Sequence, residues 1–206
     1  MSPSDAELLG AWAEGDTRAG SRLFNRYFLP VSRFFANKVA EDHDDLVQET
    51  FAACVRGRER LRDKSSFRAY LFAVASNVLR MYLRRLCSRE PLEALDELSV
   101  HDLAPSPSTV LRGREQEHAL LDALRRLPLP LQVVMELYYW EDMRTHEIAE
   151  AVELPTGTVR SHLRRGRDQL ERSLRRHPPA DDGSAEVVDL ERWAAALRET
   201  ITRSCA

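Results

Sequence analysis

The segment Thr145–Leu174 constrains the fold more than any other stretch of the chain. Thr145-His146-Glu147-Ile148-Ala149-Glu150-Ala151-Val152 carries the apolar spacing of a short helix. Glu153-Leu154-Pro155 breaks it, and a longer helical pattern follows from about Gly157 to Leu174. In that pattern Val159, Leu163, Gly166, Leu170 and Leu174 step by four, three, four and four residues, which keeps them on one helical face. Thr158, Arg160, Ser161, Arg164 and Arg165 lie off that stripe, and Thr145 and Thr156 are the candidate N-caps. A short helix, a tight turn and a second helix with an arginine-rich outer face form the pattern of a helix-turn-helix, whose second helix enters the major groove by its N-terminal end. Arginine there meets guanine O6 and N7 bidentately while its neighbours hold phosphates.

The remaining sequence is helical too. Runs of β-branched residues are absent, glycine is scarce at 8 of 206 residues, and leucine, alanine, arginine and glutamate dominate. The spacing predicts two helices between Ala6 and Val39, punctuated by Gly15-Asp16 and carrying Leu8, Leu9, Trp12, Leu23, Tyr27, Val31, Phe34 and Phe35. A third helix is expected over Asp45–Gly57 and a fourth over Phe67–Leu86, the latter with Leu71, Val74, Val78, Tyr82 and Leu86 inward. Residues 87–110 include Pro91, Pro105 and Pro107 and five acids, with no Lys or Arg after Arg89, and read as an extended, poorly ordered linker. A further helix through Leu120, Leu121, Leu124 and Leu127 is stopped by Pro128 and Pro130, and Leu131–Tyr139 follows with Val133, Val134 and Leu137 buried. The expected fold class is all-α, with two small helical domains joined by a flexible linker and a C-terminal amphipathic helix through Val187, Leu190, Trp193, Leu197 and Ile201.

Charge divides along the same lines. The overall balance is only -3, yet residues 1–89 carry +4, residues 90–116 carry -4, residues 117–177 are neutral and residues 178–206 carry -3. Within the neutral block, residues 156–177 hold seven arginines, and residues 56–89 hold ten basic groups against Glu59 and Asp63. Two basic surfaces therefore flank an acidic linker, a distribution suited to a polyanionic partner. Cys54, Cys87 and Cys205 lack ligand spacing, as do the six histidines, and no phosphate loop or nucleophile elbow is present. No cofactor, metal site or small-molecule substrate is expected, and the chain is not expected to be an enzyme. The absence of a long apolar run or signal peptide points to a cytoplasmic protein without membrane insertion.

The helix-turn-helix alone is shared by repressors, activators and other DNA-binding proteins. A more specific signal is Asp44-Asp45-Leu46-Val47-Gln48-Glu49-Thr50-Phe51 followed by Phe67-Arg68-Ala69-Tyr70-Leu71-Phe72-Ala73-Val74-Ala75-Ser76-Asn77-Val78-Leu79-Arg80. Here the chain closely resembles the extracytoplasmic-function (ECF, group 4) sigma factors of the sigma-70 family. The resemblance covers about Asp5–Arg89 as region 2 and Gln116–Arg176 as region 4. It implies a division into residues 1–89, an acidic linker at 90–113, a second domain at 114–177 and an extension at 178–206.

It also implies roles. Asp45, Leu46, Gln48, Glu49 and Phe51 match the helix that docks on core RNA polymerase. Lys64, Ser65, Ser66 and Phe67, at the end of a loop, and Asn77 on the following helix match the pocket that captures a flipped base of the minus-10 element, with Arg80, Arg84 and Arg85 holding phosphates. Thr158, Arg160, Ser161, Arg164 and Arg165 match the minus-35 contacts. Promoter DNA and core polymerase are the implied partners, and an anti-sigma factor is a further one open to such a chain. Three positions depart from the family pattern. Tyr70 replaces a common tryptophan, Met81 a common aspartate and Gly166 a common alanine, the last expected to weaken its helix by up to about 1 kcal/mol. The rival reading is a two-domain helix-turn-helix repressor or activator that works without joining polymerase.

Overall fold

A computed structural model describes residues 3–39, 42–57, 66–86, 99, 101 and 115–176, the side chains of 115–119 excepted. Its described residues form eight helices: α1 Asp5–Ala13, α2 Thr17–Ala36, α3 His43–Arg56, α4 Phe67–Leu86, α5 Glu115–Arg125, α6 Leu129–Tyr139, α7 Thr145–Val152 and α8 Thr156–Arg176. None is long and apolar enough to cross a membrane.

Local chemistry sets the boundaries. Ser4 and Glu7 form a capping box at the start of α1. Gly15 takes φ +107°, a turn that a side chain would strain, and the Asp16 carboxylate then accepts from the N–H groups of Arg18 and Ala19 to begin α2. Ser66 Oγ accepts from Ala69 N at 3.2 Å and starts α4 at Phe67. Helix α6 begins at Leu129, two residues before the position expected from the sequence, because Pro130 lies in the first turn, where its missing N–H has no helical partner to lose. Thr145 and Thr156 are the first helical residues of α7 and α8, so neither is the N-cap; Arg144 N–H instead donates to the Glu147 carboxylate at 2.8 Å.

Helices α1–α4 pack around Leu23, Val31, Phe35, Leu71, Phe72 and Leu79, all at most 1% exposed. Aromatic edges order this core: Phe34 meets Phe35 and Phe72 at ring separations of 5.3 and 5.8 Å. The inward stripe of α4 differs from the expected one. Leu71 and Val78 are buried, but Val74 and Tyr82 are half-buried and Leu86 is exposed, whereas Phe72, Ala75, Leu79 and Leu83 are buried. The cause is that α4 is covered by α3 on one flank and by α7 on another, so its buried arc is wider and rotated. In the second unit α8 packs chiefly on α6, and also on α7 and α5.

The two units do not stand apart. Their buried apolar residues form one continuous cluster, and ion pairs from the end of α2 reach α6 and the turn after it. The expected linker lies outside the described residues apart from Ser99 and His101. Ser99 is 6% exposed and pairs antiparallel with Pro128. The expected C-terminal helix also lies outside the described residues.

Cys54 is fully buried, and burial pushes its thiol from the ordinary 9.0 up to about 12. The unfolded thiol ionises near 9 and the folded one does not, so this contribution to stability is complete below pH 9 and is lost as pH rises from 9 towards 12. Denaturation midpoints are expected to fall across that window, and to fall less in Cys54→Ala; an equal fall in both chains would remove Cys54 as a cause.

Candidate nucleic-acid interface

The helix-turn-helix is built as the sequence predicts. Helix α7 ends at Glu153, which takes the left-handed conformation (φ 55°, ψ 40°) while its N–H bonds back to Ala149 O. Leu154 N follows to the same carbonyl at 3.1 Å, and α8 then turns across the bundle. Val159, Leu163, Gly166, Leu170 and Leu174 are all buried, and Arg160, Ser161, Arg164 and Arg165 are all exposed, with Thr158 half-buried beside them. Arg167 belongs to the scaffold. Its Nε donates to Tyr139 Oη at 2.6 Å and its guanidinium lies 5.5 Å from the ring centres of Tyr138 and Tyr139.

Gly166 is explained by packing. A Cβ at this position would come 2.8 Å from Met135 Cγ and 2.9 Å from its sulfur, so glycine is what lets α8 close on α6. Gly166→Ala is therefore expected to show no gain from helix propensity and a net loss of about 1 kcal/mol, since overpacking outweighs the roughly 1 kcal/mol preference for alanine. Urea denaturation of the variant checks this, and a rise in stability would contradict it.

On α4, Asn77 is exposed, and Met81, Arg84 and Arg85 continue the same outward strip, while Leu86, the last helical residue, is exposed on the opposite side. Met81 is 56% exposed, so this surface presents an apolar group beside cationic ones. Arg85 also lies 3.8 Å from Glu49. Arg80 is half-buried and lines a crevice with Ser76, Leu79, Pro130 and Val133, at the junction with the second unit. Ser66 is half-buried and occupied in capping. Phe67 must be corrected: its side chain is 3% exposed and packed against Tyr27 and Phe24, so no base can stack on it. Lys64 and Ser65 lie outside the described residues.

On α3, Asp45 and Gln48 are exposed and Glu49 is half-buried. Leu46 is a second correction. It is 2% exposed and belongs to the core, because it follows the inward stripe with Val47, Thr50 and Cys54. Phe51 is half-buried against Phe24 at 5.0 Å. The apolar group that shares the outer side of α3 is Val55, 50% exposed and seven residues on from Gln48.

The fold and these surfaces define a helical DNA-binding protein of the helix-turn-helix class, with a second polar and basic surface on a separate helical unit. Comparison with known proteins narrows the class. The Sigma-70 region 2 family model matches residues 27–88 and the Sigma-70, region 4 model matches residues 117–170, together more than half of the chain. The chain is 28% identical over 180 residues to the ECF RNA polymerase sigma-E factor of Haemophilus influenzae, covering 83% of this chain and 95% of that one. It is 25% identical over 180 residues to the sigma-E factor of Escherichia coli K12, covering 83% and 94%. The solved structure of CnrH in complex with the cytosolic domain of CnrY shares the fold, with a TM-score of 0.60 and 23% identity over 84% of this chain and 98% of that one. The chain belongs to the sigma-70 family, as a member of its ECF group.

Proposed function

We propose that this chain is an RNA polymerase sigma factor that joins core polymerase and directs promoter-specific initiation, without acting as an enzyme in its own right. The observation that carries the reading is one chain bearing two distinct outward surfaces, the arginine face of α8 and the Asn77 strip of α4, on separate helical units. In this reading Arg160, Ser161, Arg164 and Arg165, with Thr158, contact the minus-35 element in the major groove. Asn77 offers a donor and an acceptor to the edge of a base taken from the minus-10 strand, and Arg84 and Arg85 hold that strand's phosphates. The outer side of α3, with Asp45, Gln48, Glu49 and Val55, faces core polymerase. The acidic linker would then run as a polyanion through surroundings shaped for nucleic acid. CnrH was solved with a protein partner, and an anti-sigma factor is the further partner this reading admits in the cytoplasm.

Arg165→Ala is expected to weaken binding to minus-35 duplex by roughly 10- to 100-fold, the cost of about 1–3 kcal/mol for a lost bidentate contact, and to relax preference at a single base pair. A uniform loss over all sequences would make Arg165 a phosphate contact instead. The reading as a whole is tested by permanganate reactivity of minus-10 thymines. Core polymerase with this chain should expose them on a cognate promoter, and core or chain alone should not. Tight duplex binding by the chain alone, with no thymine reactivity in the presence of core, would favour a repressor or activator.

A further inference from the structure

Exposed Asn77, Arg84 and Arg85 share their strip of α4 with a methionine. Met81 is 56% exposed, more than Phe28, Val55 or Leu86, the other large apolar side chains left in water among the described residues. It stands four residues after Asn77 and three and four before Arg84 and Arg85, so these side chains lie on neighbouring turns of one helical face. Half-buried Val74 precedes it by seven residues on the same line. From Phe67 to Leu86 the helix holds no acidic residue, and Glu49 of α3 meets the strip at Arg85, 3.8 Å away.

Helix geometry sets what Met81 can meet. An α-helix rises about 1.5 Å per residue, which puts Met81 about 6 Å along the axis from Asn77. Successive bases of a strand are about 3.4 Å apart when stacked and farther apart when the strand is drawn out, so a base held at Asn77 has its neighbour near Met81. A thioether on a flexible, polarizable side chain covers apolar surface well but is only a weak acceptor. On their major-groove edges adenine, cytosine and guanine present amines, N7 or O6, which need stronger partners than that, whereas thymine presents a C5-methyl beside O4. Covering the methyl takes apolar surface of both partners out of water, and covering an amine strands a donor.

We propose that Met81 is a specificity-determining residue for the minus-10 element: it selects a thymine next to the base read by Asn77, by packing on the thymine C5-methyl. This role rests on the function proposed above and adds a second base read by the same surface. Met81 lies outside the core, so replacing it changes the strip and leaves the packing of α4 intact.

The test measures equilibrium binding of holoenzyme to fluorescent single-stranded oligonucleotides that carry the minus-10 element of a promoter it transcribes. Asn77→Ala first locates the base at which sequence preference disappears. Thymidine and deoxyuridine are then compared at the positions on either side of that base, a difference of one methyl. At one of them the parent should bind the thymine strand about fourfold more tightly than the uracil strand, the value of a single buried methyl. Met81→Leu should keep this preference and Met81→Ala should abolish it. Met81→Gln should abolish it too and raise affinity for adenine there, because an amide pairs with adenine N6 and N7. Equal binding of thymine and uracil by the parent at both positions, or a Met81→Ala chain that keeps the parental ratio, overturns the role of Met81 while the proposed function stands. Holoenzyme that binds no such strand, or an Asn77→Ala chain with every base preference intact, overturns the base-reading surface itself and the role of Met81 with it.

Discussion

Asn77→Ala is expected to reduce opening of the minus-10 element by roughly 10- to 100-fold while leaving affinity for minus-35 duplex unchanged. Taking a base out of the stack costs a few kcal/mol, and in the absence of a nucleotide-driven motor that cost is offset only by what the protein offers the extruded base. Asn77 is exposed on α4 with Arg84 and Arg85 on the same outward strip, and in the proposed function its amide is the edge-reading part of that offset and the arginines the phosphate part. The side chain is outside the core, so truncation leaves packing intact. Fluorescence of 2-aminopurine placed in the minus-10 strand, followed after mixing with holoenzyme, reads the opening step directly. An unchanged amplitude and rate would move base capture to another residue.

Leu163→Ala is expected to be the most damaging single truncation of the helix-turn-helix, lowering stability by about 2–5 kcal/mol. Leu163 is 5% exposed in the middle of the α8 stripe, one residue before Arg164, and holds the recognition face against the bundle. Domains of this size have only about 5–15 kcal/mol in total, so the variant should unfold at much lower urea concentration. Its loss of minus-35 binding should follow the unfolded fraction, in contrast with Arg165→Ala, which should lose affinity while remaining folded. A Leu163→Ala chain of parental stability would show that α8 is not anchored through this stripe.

Much of the architecture was readable from periodicity, and the exceptions have identifiable causes. Helix α4 begins and ends where the pattern places it, at Phe67 and Leu86, and the Val159–Leu174 stripe is buried throughout. Such long, regular, one-sided patterns leave little freedom. Two-sided burial defeats the same reasoning: α4 is covered on two flanks, which rotates its inward arc, and Leu46 and Phe67 share segments with exposed polar residues while pointing inward themselves. Family motifs mark a segment as functional without saying which of its side chains face the partner. The ion pairs that join the two units were not legible at all. Lys38 and Glu136, like Arg33 and Glu141, are separated by about a hundred residues, and each sits in a local pattern that suits a solvated charge. Gly166 shows the converse: propensity marks it as a weakness, whereas Met135 across the bundle makes it a fit.

The account stands most directly on run-off transcription from a genomic fragment library with purified core polymerase and this chain. It predicts discrete start sites that require both components, that share a minus-35 and a minus-10 sequence, and that are lost or sharply weakened with Asn77→Ala and Arg165→Ala. Transcripts independent of the chain, or none at all from a compatible core to which the chain binds, would contradict it.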